Sequence, residues 1–252
     1  MEFNKIFNKD CFNIFPLITK QCIDLVLVDL PYGVSRCNWD VKIDLKLMWE
    51  NLKRICKPNT TYIFFTTSKF GNDLINSNPS WFRYDLVWEK HNSVGFLNAN
   101  RMPLRCHEMI YIFNNPKISS SIHRTYNPQK TPGKPYTSTQ KENRASVYGN
   151  VKESTIVNIT GNRHPKSIIK CHQCNEKLHA TQKPVLLCEW LIKTYSNEND
   201  VVLDFTMGSG STIIASINTH RRYIGIEKDI DIFKIAEDRI NKHKHKEVEI
   251  EV

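Results

Sequence analysis

No apolar stretch in the 252 residues approaches the roughly 18 that a membrane span needs. The opening Met1-Glu2-Phe3-Asn4-Lys5 has none of the apolar region of a secretory signal. These two absences lead us to expect a cytoplasmic protein with no membrane partner. The eight cysteines are scattered mostly singly through apparent strands and helices, which suits reduced thiols better than a disulfide framework. Cys171-His172-Gln173-Cys174 and the later His179 lack a second ligand pair of comparable spacing, so no metal site is expected. Glycine is scarce, with nine in the chain, and two of them fall together in Asp204-Phe205-Thr206-Met207-Gly208-Ser209-Gly210. The third glycine of a dinucleotide fingerprint is missing, since Ile213 stands there, and no phosphate-loop lysine follows. Nicotinamide and nucleoside-triphosphate chemistry are disfavoured accordingly.

Acidic residues are short in one place only. Residues 114–180 hold eleven Lys or Arg against three Glu, a local excess of +8 in a chain whose total is +9. That segment is also rich in Ser, Thr, Asn and Pro, the composition of an exposed, irregular region. A polyanion is one partner for it, with Lys130, Lys134, Arg144, Arg163 and Lys166 as candidate contacts; a basic loop without such a role is the other reading. Within it only residues 154–159 suggest a strand, because Pro128, Pro132 and Pro135 forbid long regular elements.

Around that segment, strand and helix alternate. Leu25, Val26, Leu27 and Val28 form a continuous apolar run, expected of a strand buried on both faces in a parallel sheet. Further strands are expected at residues 6–7, 61–65, 84–88, 109–113, 201–203 and 223–226, with an irregular stretch over 90–107. Helices are expected after Asp44, over 68–76, from Pro184, from Ser211 and from Asp229, and the charged tail beyond Lys242 is expected to fray. The pattern predicts an α/β fold with a doubly wound, mostly parallel sheet and one basic insertion. Its parts are residues 1–113, an insertion over 114–178, and residues 179–252.

Several polar groups fall at expected strand ends, where open α/β sheets bind ligands. Asp10 follows the first strand and serves a ligand amine or caps the next helix, the cap being favoured on position alone. Asp29-Leu30-Pro31-Tyr32-Gly33 follows the central strand, and Pro31 biases Leu30 towards an extended backbone. Trp39 sits in a polar loop and walls a base pocket or packs on the core. Asp204 opens the glycine turn, and Glu227 lies about twenty residues past it, where a carboxylate can accept two ribose hydroxyls, a surface glutamate being the other reading. Such an acidic edge in a basic chain suits a cationic sulfonium cofactor carrying hydroxyls and an amine.

Five stretches, residues 8–11, 29–32, 181–184, 204–210 and Glu227, stand in an order that resembles the beta class of DNA amino-methyltransferases, which modify adenine N6 or cytosine N4 in restriction-modification systems. The resemblance implies a Rossmann-like class I methyltransferase fold and S-adenosylmethionine as cofactor. It implies that Asp29, Leu30, Pro31 and Tyr32 hold a flipped base: Asp29 and the Leu30 carbonyl accept the amine hydrogens and Tyr32 stacks. The family more often has proline where this chain has Leu30, but the expected acceptor there is main-chain. Asp10 and Cys11 would lie near the cofactor's adenine, Thr181 and Lys183 near its methionine part, Asp204, Phe205, Gly208 and Gly210 in its turn, and Glu227 on its ribose. Residues 114–178 would recognise duplex DNA. Asp29 favours adenine, since the family's cytosine enzymes usually begin this motif with serine. Methylation of cytosine, RNA or a protein amide, and a non-catalytic DNA-binding subunit, are the alternatives. A prokaryotic or viral origin, a homodimer and a cognate restriction endonuclease are compatible with the resemblance.

Overall fold

The computed structural model describes residues 2–33, 42–117, 124–140, 143–146, 149–171 and 182–250. They fall into two compact units, one of residues 1–127 with 167–252, the other of Pro128–Lys166.

The larger unit is an eight-stranded sheet between helices. In chain order its elements are β1 (Lys5–Asn8), α1 (Cys11–Ile14), β2 (Ile23–Asp29), α2 (Leu45–Ile55), β3 (Cys56–Thr66), α3 (Ser68–Ser77), β4 (Phe82–Val94) and β5 (Arg105–Asn114). After the smaller unit, whose strands are β6 to β9, come β10 (Ile168–Lys170), α4 (Val185–Tyr195), β11 (Val201–Asp204), α5 (Ser211–Asn218), β12 (Arg222–Glu227) and α6 (Ile230–Ile250). The strand order is β1-β12-β11-β2-β3-β5-β4-β10. The first five run parallel, β5 is antiparallel to both β3 and β4, and β10 pairs parallel with β4. The expected mostly parallel, doubly wound sheet is thus present. The antiparallel strand was not anticipated, because direction is set by how chain ends connect and leaves no mark on side-chain periodicity.

The run in β2 is apolar throughout because the sheet is covered on both faces. Val26 and Val28 enter one core with Met48, Trp49 and Leu52 of α2, while Leu25 and Leu27 enter the other with Leu187 and Leu191 of α4. Burial of such side chains contributes roughly 1.5–3 kcal/mol each, which is why β2 can sit at the centre without a polar face. Local caps fix where helices begin. Asp44 Oδ1 accepts from Leu47 N–H at 3.0 Å at the head of α2, and Asp229 Oδ1 accepts from Ile232 N–H at 3.0 Å before α6. The tail expected to fray is helical as far as Ile250, in keeping with its content of Lys and Glu, both good helix formers.

The smaller unit holds two antiparallel pairs, β6 (Tyr136–Gln140) with β9 (Ser154–Asn158) and β7 (Asn143–Ser146) with β8 (Gly149–Val151). Arg163 stitches it together. Its guanidinium donates to the carbonyls of Gly161 and, at 2.7 Å, Lys134, and lies 4.6 Å from the centre of the Tyr136 ring.

Candidate functional site

Because β1, β12, β11 and β2 are parallel neighbours, their carboxyl ends share one edge of the sheet. That edge bears Asp10, Glu227, Asp204 and Asp29, and all four line one cavity of about 610 Å³.

The glycine turn closes one side. Gly208 and Gly210 have φ of +51° and +80°, a region side chains rarely enter, and Gly210 caps α5. Glu227 ties the turn to β12: Gly208 N–H donates to Oε2 at 3.1 Å and Asp229 N–H to Oε1 at 3.0 Å. Each carboxylate oxygen keeps a second lone pair for a ligand hydroxyl. Asp10 caps α1, with Phe12 N–H donating to Oδ1 at 2.9 Å, so the capping role is realised. Phe205 is buried edge-on to Phe15, centroids 5.3 Å apart, and acts from the core while still lining the cavity. Burial, aided by Asp10, pushes the Cys11 thiol up to about 12, so it is no nucleophile at neutral pH.

Asp204 is 3 % exposed. Burial, with the charges of Asp29 and Glu227 adding to it, raises its carboxyl to about 7. A buried carboxylate so placed favours arrival of a cation. In the free protein the sign is unfavourable at neutral pH: the unfolded carboxyl ionises near 4, so between about 4 and 7 the folded state retains the extra proton and Asp204 erodes stability as pH rises. A cation bound beside it reverses this by favouring the ionised form. Affinity for a cationic cofactor should therefore increase with pH below 7, by up to about tenfold per unit, and level off above it. Asp204→Asn should flatten that slope; an unchanged slope in calorimetric titrations would place the proton elsewhere.

The opposite wall is a chain of alternating charges. Tyr32 hydroxyl donates to Asp29 Oδ1 at 2.7 Å, and Lys183 Nζ donates to Asp29 Oδ2. Lys183 also stands 3.3 Å from Glu108 Oε2, and Lys90 donates to Glu108 Oε1. Burial works to lower the Lys183 ammonium, but Asp29 and Glu108 together outweigh it and hold it above the usual lysine range. Burial likewise works to raise Glu108, and the two lysines overcome it and hold it low. The Asp29 main-chain carbonyl accepts from Thr206 Oγ1 at 2.9 Å, which joins the β2 turn to the glycine turn. Leu30 lines the cavity, and its side chain is buried in the core, so leucine fills the position without adding a polar group.

The structure thus gathers Asp10, Cys11, Asp29, Leu30, Pro31, Tyr32, Lys183, Asp204, Phe205, Gly208 and Glu227 around one cavity. Gly210 shapes its turn. Lys183 lines the cavity and reaches Asp29. Thr181 and Trp39 lie outside the described residues, as does most of the run 171–174. Lys130, Lys134 and Lys166 are exposed on the smaller unit and Arg163 is engaged within it; Arg144 lies on β7, its side chain outside the described residues. Sequence reasoning missed Glu108, Lys90 and Thr206. Glu108 carried a weak signal, a lone acid directly before the apolar Met109-Ile110 of a strand.

Comparison with known proteins adds to this geometry. The model of the N6/N4 methylase family, described as DNA methylase, matches residues 23–238. The type II methyltransferase M2.LlaDCHI of Lactococcus lactis subsp. cremoris is 41% identical, over 92% of this chain and 87% of its own length. The type II methyltransferase M1.MboII of Moraxella bovis is 27% identical, over 96% and 98%. Among solved structures, M1.HpyAVI in complex with SAM superposes with a TM-score of 0.65 at 20% identity, covering 94% of this chain and 98% of that one.

Proposed function

Because the chain belongs to the N6/N4 DNA methylase family, we propose that it methylates the exocyclic N6 of an adenine flipped out of duplex DNA. At the coarser level it is a DNA amino-methyltransferase of the restriction-modification type, with S-adenosylmethionine as cofactor. The cavity fits that cofactor on its own chemistry: a buried carboxylate at Asp204, a close-approach glycine turn, and paired acceptors on Glu227.

The carboxylate of Asp29, at the wall of this cavity, is the observation that carries the adenine reading. An exocyclic amine conjugated with its ring is a poor nucleophile. With Asp29 and the Leu30 carbonyl each accepting one of its hydrogens, the nitrogen pyramidalises and its lone pair is freed. The cofactor supplies a methyl group on sulfur, which leaves as a neutral thioether. Asp29, already hydrogen-bonded to the amine, is the acceptor nearest the proton that the methylated nitrogen must lose. Tyr32 supports the base by stacking, which recovers about 1–3 kcal/mol against a flipping cost of a few kcal/mol. Labelled methyl transfer to mixed-sequence duplex DNA, followed by nucleoside analysis, tests the reading. N6-methyladenine is the expected product; N4-methylcytosine, or transfer to RNA alone, would replace the substrate assignment.

The smaller unit, Pro128–Lys166, carries seven Lys or Arg against two Glu, and this excess supports a role for it in meeting the DNA backbone. Arg163 is committed to holding the unit together, which leaves Lys130, Lys134 and Lys166 as the better phosphate contacts. Neutralising each of these three should lower the salt slope of DNA binding by about 0.9. An unchanged slope would move the DNA face to another part of the chain.

A further inference from the structure

We infer that Lys183 is a base-binding residue, donating a hydrogen bond to the ring nitrogen beside the target amine, and that Glu108 positions it. The inference rests on the proposed role of Asp29 as amine acceptor.

Lys183 Nζ and Asp29 Oδ2 form a donor and an acceptor side by side on the cavity wall. Adenine presents the complement along its Watson–Crick edge, since its amino donor sits next to N1, a ring nitrogen that accepts. When the amine hydrogen is on Asp29, the neighbouring ring nitrogen therefore comes to the donor that Asp29 already holds. An ammonium has three N–H groups. One goes to Asp29, a second points to the contact with Glu108, and a third is left for the base. The ammonium also lies 5.1 Å from the centre of the Phe65 ring, which backs it from the sheet.

Glu108 decides whether this donor is available. Its Oε1 is held by Lys90, while its Oε2 is shut off from solvent and paired with Lys183 Nζ at 3.3 Å. A buried acceptor is costly without such a partner. Its pull divides Lys183 between two carboxylates. Without Glu108, the ammonium would belong to Asp29 alone and would compete with the amine for that carboxylate. Glu108 is thus a positioning residue, acting on the base through Lys183.

The test is single-turnover methylation of duplexes carrying adenine or 1-deazaadenine at the modified position; the analogue keeps the amine and replaces the ring nitrogen by C–H. The wild-type protein should methylate the analogue about 10- to 100-fold more slowly, the range for a hydrogen bond from a charged donor. Lys183→Met should slow transfer to adenine by a similar factor and shrink the ratio of the two substrates by that factor. Comparing the ratio between the two proteins cancels any difference in intrinsic reactivity of the analogue. Glu108→Gln should shrink the same ratio while cofactor affinity stays near wild type, which a merely structural loss would not do. The inference is overturned if Lys183→Met keeps the wild-type ratio, or if wild type, needing no variant to fold, treats the substrates alike. Should the wild-type product prove to be N4-methylcytosine, the adenine reading fails separately. The same comparison with 3-deazacytosine, which lacks the corresponding ring nitrogen, then judges Lys183 by the same ratio.

Discussion

Asp29→Ala should reduce methyl transfer by about 10²–10³-fold at saturating DNA and cofactor, the cost of removing one preorganised group from a reaction centre, and leave cofactor affinity within a few-fold. Three features of the structure separate the two effects. The Asp29 side chain touches Tyr32 and Lys183, while the link to the glycine turn runs through its main-chain carbonyl and Thr206, which the substitution keeps. The carboxylate oxygens of Glu227 and the amides of the turn belong to β12 and to the β11–α5 connection. Lys183, released from Asp29, still has Glu108 at 3.3 Å, so no ammonium is stranded without a counter-charge. Single-turnover rates and a cofactor titration on the same preparation measure both quantities. Loss of cofactor affinity or of cooperative unfolding would make Asp29 a structural residue, and an undiminished rate would give the acceptor role to another group.

What could be read from the sequence follows the range of the interactions involved. The apolar run of β2, the Asp44 and Asp229 caps and the Gly208 and Gly210 turn are decided by neighbours within a few residues, and all stand where expected. Acids at strand ends were legible for the same reason: once neighbouring strands run parallel, every strand end falls on one edge. The charged wall of Asp29, Lys183, Glu108 and Lys90 was not. Asp29 meets Lys183 across 154 residues of chain and Glu108 meets Lys90 across 18. Nothing local marks Lys183 as a partner of Asp29, since that contact is set by where α4 docks. The short strands had the same fate. β10, with three residues, is a strand because β4 offers it an edge, and Ser167 accepts from Val87 N–H at 2.8 Å just before it. β6 finds its partner β9 past an intervening hairpin, and its sequence Tyr136-Thr137-Ser138-Thr139-Gln140 has no apolar alternation to announce it.

Glu227→Ala should give the opposite profile to Asp29→Ala: cofactor affinity lower by about 100-fold, and turnover at saturating cofactor within roughly tenfold of wild type. Two hydroxyl groups donating to one carboxylate make charge-assisted hydrogen bonds, each contributing about 1.5–3 kcal/mol, and part of that is offset by their hydration when free. Glu227 also holds the amides of Gly208 and Asp229, so alanine would loosen the turn as well as remove the acceptor. The two causes are separable with S-adenosylhomocysteine and an analogue lacking both ribose hydroxyls. If the carboxylate binds the ribose, the wild-type protein loses affinity for the analogue and Glu227→Ala does not lose it again. If Glu227 only braces the turn, the analogue is penalised equally in both proteins. The acid at the end of β12 would then be a clamp on Gly208, and the ribose would find its acceptors elsewhere on the acidic edge.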